Sequence, residues 1–387
     1  MKIAMVFDGI GYGGVTTVGL EYIKIFLKLG WDVDVYNLTD SIAGEKDIPK
    51  ECKIYHDRLR WYFCPEKYSG GVKRYWWGRF AYPVLYIILT VFIFIKKMLK
   101  FKKKNYDIAI AFSGHWTDLT YVSKGFINAK YKIAWLHGAL YQYLLMSDGY
   151  LALYRSIKNL VVLITKIQEE ALVYNKFAKL NIKQLYNPTT ILERTVNCEK
   201  VKDLKNKYGD FWIMVALLMQ PKDHITVLQA VKILKDKYNY PNKLLLLGNG
   251  PNENIIKQEI KKMGLEEQVI LLGAVDDVEN YYASCFALVH ASLFEGFGII
   301  LVEALAFNKP IVCTDCGAGV REVLMDGEYG ILCKIQDPED MARCMKMLMD
   351  DKELYKDFSR KAAFRAKDFE PKIISTQVEE LLAKLKQ

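Results

Sequence analysis

The stretch SLFEGFGIILVEALAFNKPIVCTDCGAGVRE, Ser292 to Glu322, decides how this chain folds. It follows an apolar run, Phe286 to His290, that reads as a buried strand. Glu295-Gly296-Phe297-Gly298 turns the chain, Ile299 to Phe307 reads as a helix, and Pro310 to Cys313 reads as the next strand. Gly317 and Gly319 mark a further loop. A glycine turn at a helix N-terminus gathers unbonded N–H groups at the positive end of the helix dipole, so a phosphate sits well there. Glu303 follows Glu295 by eight residues, about two turns into the helix. A carboxylate only accepts hydrogen bonds, so this one suits neutral hydroxyls such as a ribose diol rather than the phosphate itself. Taken alone, two glutamates at this spacing describe the solvated face of an ordinary helix; the glycines and the flanking strands are what set this pair apart.

Strand, glycine loop, helix and strand recur from the N-terminus onward. Lys2 to Phe7 reads as a strand, Gly9, Gly11, Gly13 and Gly14 as a loop, Val15 to Leu29 as a helix closed by Gly30, and Trp31 to Tyr36 as the next strand. This order implies parallel sheets with helices on both faces. Gly9-x-Gly11-x-x-Gly14 satisfies the dinucleotide fingerprint, with Asp40 placed to serve as its acid. Tyr106 to Phe112 and Lys132 to Leu136 read as strands, so His115 and His137 fall just past strand C-termini, where doubly wound sheets hold ligands. A helix is expected from Lys166 and a strand at Ile182 to Tyr186, and Asn187-Pro188 then opens a polar hinge. Beyond it, strands are expected at Phe211 to Ala216, Leu244 to Leu247 and Val269 to Leu272, with Lys222 before a helix and the turn Gly248-Asn-Gly250 after the second strand.

At 387 residues two domains are expected. Eight scattered cysteines and an opening MKIAMVF that reads as a strand point to a reduced, cytoplasmic setting. Cys313-x-x-Cys316 has no second pair to complete a zinc site and reads as two small loop-lining residues. The net charge of +9 equals the content of one segment: 71–104 holds Lys73, Arg74, Arg79, Lys96, Lys97, Lys100, Lys102, Lys103 and Lys104 and no acid. The remainder is balanced, which argues against a nucleic-acid partner. Inside this segment Phe80 to Ile95 carries no charge, with Pro83 near the start of the helix it would form. A spanning helix needs about 20 apolar residues, so this one reads as an interfacial element in an anionic leaflet, or else as a buried helix with basic ends.

In the frame EGFG…EALA…KPIV, Glu295-x7-Glu303 resembles the nucleotide-sugar motif of retaining glycosyltransferases of family 4. The resemblance is specific over 211–333 and loose over 1–190. It implies the GT-B fold: two doubly wound Rossmann-like α/β domains facing a central cleft. The expected division is an acceptor domain at 1–190 with a membrane-associating segment at about 71–104, a nucleotide-sugar domain at 191–368, and a helix at 369–387 crossing back. It further implies that Glu295 contacts the donor sugar and Glu303 the ribose, alongside Gly296, Phe297, Gly298 and Ile299. Lys222 would meet the diphosphate, with Gly248 and Gly250 beside the nucleotide, Gly13 and Gly14 over the cleft, and His137 near the sugar. Leu217 stands where the family places an arginine, a departure that removes one charge from the diphosphate site.

The expected activity is transfer of a sugar from a nucleoside-diphosphate sugar, a UDP-sugar by base rate, to a lipid-linked or other saccharide acceptor. The setting would be bacterial capsule, exopolysaccharide or lipopolysaccharide synthesis, at the inner membrane face and without a metal. A non-catalytic partner subunit of this fold, another GT-B activity such as a non-hydrolysing epimerase or a phosphorylase, and an NAD-dependent oxidoreductase are the alternatives.

Overall fold

The computed structural model describes residues 1–11, 13–99, 104–138, 140, 143–144, 147–166 and 179–385, with residue 73 by its backbone only. Lys100, Lys102 and Lys103 of the basic run, and the helix expected from Lys166 beyond that residue, lie outside the described residues. The chain divides into two units, Met1–Pro188 with Ile374–Gln387, and Thr189–Ile373.

The first unit holds a seven-stranded parallel sheet made of β1 (Lys2–Phe7), β2 (Asp32–Asn37), β3 (Lys53–His56), β4 (Asn105–Ala111), β5 (Asn128–Leu136), β6 (Asn159–Val162) and β7 (Asn181–Gln184). Their spatial order is β3-β2-β1-β4-β5-β6-β7. The order reverses between β1 and β4, the switch point of a doubly wound sheet. Helices cover both faces, so the central strands are continuous apolar runs; Ile3, Ala4, Met5 and Val6 have no exposed surface. The edge strand β3 escaped the sequence reading because Lys53-Ile-Tyr-His56 is half-exposed and pairs on one side only. For a related reason β5 starts four residues earlier than expected. Asn128 to Tyr131 lack an apolar run, yet they extend the ladder with β4 from Asn105↔Asn128 onward.

The glycines at 9–14 divide by what surrounds them. A Cβ on Gly9 would lie 2.6 Å from Thr39 Oγ1, and one on Gly11 2.6 Å from Ser41 Oγ. Ile10 N–H donates to the Ser41 carbonyl at 2.8 Å. The turn after β2 therefore covers Gly9 and Gly11, and Asp40 is ion-paired with Arg58 at 2.6 Å. Neither the glycines nor the acid is disposed as a dinucleotide fingerprint needs. Gly13, at φ 146°, caps the helix Gly14–Lys28 with open space where a side chain would be.

The uncharged segment forms the helix Gly78–Met98, in which Pro83 lies in the second turn rather than at the start. Its inner face is fastened to the unit. Phe92 stacks on Phe63 at 4.2 Å, Tyr86 donates to Glu66 Oε1 at 3.2 Å, and Lys124 pairs with the same oxygen at 2.5 Å. Phe80, Val84, Ile87, Ile88, Val91, Phe94, Ile95 and Met98 recur at helical spacing on the opposite face, every one more than half exposed. The helix is therefore not a core element. Since β1–β3 precede it and β4–β7 follow it in one hydrogen-bonded sheet, it does not cross a bilayer while that sheet is intact.

The second unit holds β8 (Phe211–Val215), β9 (Lys243–Leu247), β10 (Val269–Gly273), β11 (Ala287–His290), β12 (Ile311–Thr314) and β13 (Ile331–Cys333). The order is β10-β9-β8-β11-β12-β13, all parallel, and it reverses between β8 and β11. The core is built from Trp212, Met214, Leu244, Leu246, Val289 and Val312 on the strands, with Val227, Leu228 and Met345 from the helices above. The last helix is Pro371–Leu385; its proline occupies the first turn, where the missing N–H costs no hydrogen bond, and does not interrupt the helix.

Candidate active site

Parallel strands deliver all their following loops to one edge of the sheet. In the Thr189–Ile373 unit, the loops after β8, β9, β11 and β12 meet at that edge around the switch point. Two glycines let the first two loops touch. A Cβ on Gly248 would lie 2.0 Å from the Ala216 carbonyl oxygen, and one on Gly250 2.4 Å from that of Leu218. Leu218 N–H donates to Asn249 and Asn252 N–H to Leu218, each at 2.9 Å. Backbone packing alone is thus reason enough for both glycines.

The loops after β8, β11 and β12 are tied together in the same way. Leu293 N–H donates to the Pro221 carbonyl at 2.8 Å, the Ser292 hydroxyl lies 2.8 Å from the same carbonyl, and Thr314 Oγ1 accepts from Ser292 N–H at 2.9 Å. A Cβ on Gly319 would lie 2.4 Å from the Gly296 oxygen, so the loop after β12 rests on the Glu295–Gly298 turn. Gly298 adopts φ 82°, a left-handed value that favours glycine, and among the described residues no side chain caps the helix Ile299–Ala306 that follows. Phe297 turns its ring inward against Phe369, centroids 5.9 Å apart, which leaves its backbone and not its side chain at the turn. Ile299 is half-buried at the first helical position.

Lys222 stands in the short turn Gln220–Lys222, before Asp223 caps the helix His224–Tyr238. Its ammonium is paired with Glu295 Oε1. The same oxygen lies 2.8 Å from Nε2 of His290, the last residue of β11. Burial pushes the Glu295 carboxyl up, but His290 and Lys222 together outweigh it and hold the group down at about 2, so it is ionised. His224 lies nearby. Burial lowers it to about 4, and its neighbours His290 and Lys222 act in the same direction, so it is neutral. Glu303 is buried, and its Oε2 accepts from the Tyr282 hydroxyl at 2.9 Å. Leu217 is partly exposed in the loop after β8. Cys313 and Cys316 are buried free thiols.

The other unit carries its own polar cluster at the ends of β1, β4 and β5. His115 Nδ1 is 3.1 Å from Asp8 Oδ2, and this hydrogen bond raises the imidazole above its ordinary value against the opposing effect of burial. Asp118 accepts from the N–H groups of Gly114 and His115, each at 2.8 Å; burial lifts it to about 7. His137 Nε2 lies 2.6 Å from the Phe112 carbonyl, and burial lowers it to about 4. Facing a carbonyl, Nε2 carries the proton, which leaves Nδ1 as an acceptor. Gly14 begins its helix beside Gly13, exposed.

Of the residues expected at one site, the structure brings Lys222 to Glu295 in the turn before Gly298 and sets Glu303, in the helix that follows, against Tyr282. Sequence reasoning passed over His290, Ser292 and Thr314, which hold this sheet edge together. A histidine closing the otherwise apolar run Ala287-Leu-Val289 was the one local signal for the first of them.

Residues 198–365 match the family Glycosyl transferases group 1. An N-acetylgalactosamine-N,N'-diacetylbacillosaminyl-diphospho-undecaprenol 4-alpha-N-acetylgalactosaminyltransferase of Campylobacter jejuni is 36% identical over 167 residues, 43% of this chain and 44% of that protein. The amylovoran biosynthesis glycosyltransferase AmsD of Erwinia amylovora is 27% identical over 154 residues, 40% of this chain and 43% of that protein. The chain spans about half the length of the curated relatives it matches. Among solved structures, that of Anabaena HepE in complex with UDP and glucose superposes with a TM-score of 0.74 at 18% identity, covering 99% of this chain and 100% of that one. The likeness shows the fold: two Rossmann-like parallel-sheet domains of the GT-B type.

Proposed function

We propose that this chain is a glycosyltransferase that moves a sugar, with retention at the anomeric carbon, from a nucleoside-diphosphate sugar to a lipid-linked saccharide. The observation that carries the reading is the pairing of Lys222 with Glu295 in the loops before the uncapped helix Ile299–Ala306, which carries Glu303, inside the stretch matched by the group 1 family. The principal barrier is departure of the nucleoside diphosphate from the sugar. Lys222 and the free N–H groups at the start of that helix stabilise the charge that develops, in the manner of a preorganised anion site. Glu295 accepts hydrogen bonds from the sugar hydroxyls and Glu303 from the ribose diol. With Lys222 supplying the counter-charge, the reading calls for no metal.

UDP is the proposed nucleotide, supported by its presence in Anabaena HepE. A lipid-linked acceptor in bacterial capsule, exopolysaccharide or lipopolysaccharide assembly is supported by the diphospho-undecaprenol and amylovoran relatives. It also fits the exposed apolar face of Gly78–Met98, flanked by Arg79, Lys96 and Lys97, which would rest flat on the anionic inner leaflet of the cell membrane. Leu217 keeps a second reading in view, a non-catalytic subunit of a membrane transferase, because the missing cation lies on the leaving-group side.

The test is ligand-induced thermal stabilisation with UDP, GDP, ADP, NAD and a set of UDP- and GDP-sugars, with Glu303→Ala as control. A ligand at 100 times its Kd adds about 2.7 kcal/mol, a readable shift. Stabilisation by UDP or a UDP-sugar that disappears in the variant is the expected result. A response to NAD alone overturns the reading, and no response to any nucleotide favours the non-catalytic subunit.

A further inference from the structure

His290 has no place in the catalytic roles proposed so far, yet it is a completely buried polar group at the site. It ends β11 with no exposed surface and pairs with Cys313 of β12 in the sheet. The three residues before it, Ala287, Leu288 and Val289, are apolar and fully buried, so another aliphatic side chain would continue the run without difficulty. The histidine instead leaves Nδ1 buried without a hydrogen-bond partner among the described residues. An unsatisfied buried polar atom is destabilising and rare enough to need a reason. Nε2 supplies the reason, because it faces Glu295 Oε1 at 2.8 Å.

The tautomer follows from the surroundings. A proton on Nδ1 would bury an N–H against nothing and set the bare Nε2 lone pair against a carboxylate oxygen. A proton on Nε2 gives a charge-assisted hydrogen bond and leaves only a lone pair unsatisfied. Lys222 and His290 both approach Oε1, while Oε2 has no hydrogen bond among the described residues. Lys222 is therefore engaged twice in the reading above: it neutralises Glu295 before the donor arrives and must meet the diphosphate afterwards. A diphosphate competes strongly for that ammonium. If Lys222 were the only partner, its departure would leave a largely buried carboxylate unpaired and free to change rotamer.

We propose that His290 is a positioning residue for Glu295, fixing Oε1 through Nε2–H so that Oε2 stays aimed at the donor sugar when Lys222 moves to the diphosphate. This rests on the donor-site reading of the preceding section. The placement suits the task, since a strand held on both sides in a sheet is far more rigid than the loop that carries Lys222.

The test compares His290→Leu and His290→Gln with wild type by calorimetric titration of UDP, GDP, UDP-glucose, UDP-N-acetylglucosamine and GDP-mannose. The amide nitrogen of glutamine reaches the position of Nε2, so that variant restores the donor. His290→Leu is expected to weaken the nucleotide sugar that wild type binds by about 10- to 100-fold, the loss of one hydrogen bond to a charged group. The parent nucleoside diphosphate should change less than about twofold, and His290→Gln should recover most of the difference. Ring ¹⁵N shifts of the unliganded protein should show the proton on Nε2 of His290. Equal losses for nucleotide and nucleotide sugar, no loss for either, or a proton on Nδ1 overturns the proposal. Should His290→Leu not fold, the glutamine variant and the ring shifts still decide. If wild type binds none of the five compounds, the donor-site reading fails first and this proposal with it.

Discussion

Replacing Glu295 with glutamine isolates the charge at the centre of the site, and its effect on stability has a pH dependence that follows from the structure. The folded-state carboxyl is held at about 2 against an ordinary value of 4.5. The group is largely buried, 11% exposed, so solvent screening takes little from the effect. A depressed folded pKa contributes stability above the unfolded value and loses it as pH falls toward the folded one. At about 1.4 kcal/mol per unit, the contribution is about 3 kcal/mol at pH 7 and about 1 kcal/mol at pH 3. Glu295→Gln lacks the ionisation, so the stability gap between wild type and variant should narrow by about 2 kcal/mol over that range. Urea unfolding followed by tryptophan fluorescence measures the gap at each pH, and subtracting variant from wild type removes the titrations the two chains share. A gap that stays constant from pH 7 to pH 3, or widens on acidification, would refute the argument that Lys222 and His290 outweigh burial at this carboxylate.

Gly248→Ala should destabilise the chain by about 3 kcal/mol or more, because its Cβ meets the Ala216 backbone oxygen at 2.0 Å at a φ that L-residues avoid; Gly13→Ala, in open space, should cost only about 1 kcal/mol, and thermal unfolding compares them. Leu217→Arg adds a cation beside the proposed diphosphate site and, on that proposal, should raise the transfer rate with the chain's own donor by about tenfold; an unchanged rate means that the leaving group does not pass this loop. Ile88→Glu with Phe94→Glu, both on the exposed face of Gly78–Met98, should abolish sedimentation with anionic vesicles while leaving the unfolding temperature within about 2 °C; retained sedimentation removes the helix from membrane binding.

Patterns that repeat along a few residues were legible in the sequence. Buried parallel strands are apolar runs and helices begin at glycine turns, so β1, β8, β9 and β11 and the unit from Ser292 to Glu322 could be placed to within a residue or two. The spacing of Glu295 and Glu303 within one loop and one helix was legible for the same reason. The edge strand β3 was not, because a strand paired on one side needs no apolar run.

What only the tertiary structure decided were encounters between loops that lie far apart in the chain. Lys222 meets Glu295 across 73 positions, and His290 joins them because β11 ends beside the turn. The turn after β2 covers Gly9 and Gly11 and withdraws a fingerprint that matched letter by letter, since the sequence records the glycines and not what rests on them. Composition showed that Phe80 to Ile95 is apolar; the hydrogen bond from Tyr86 to Glu66 and the stack of Phe92 on Phe63 decided which face remains outside. Local periodicity is set by bonds between near neighbours along the chain, whereas these contacts depend on how strands order themselves in a sheet, which no short window of sequence contains.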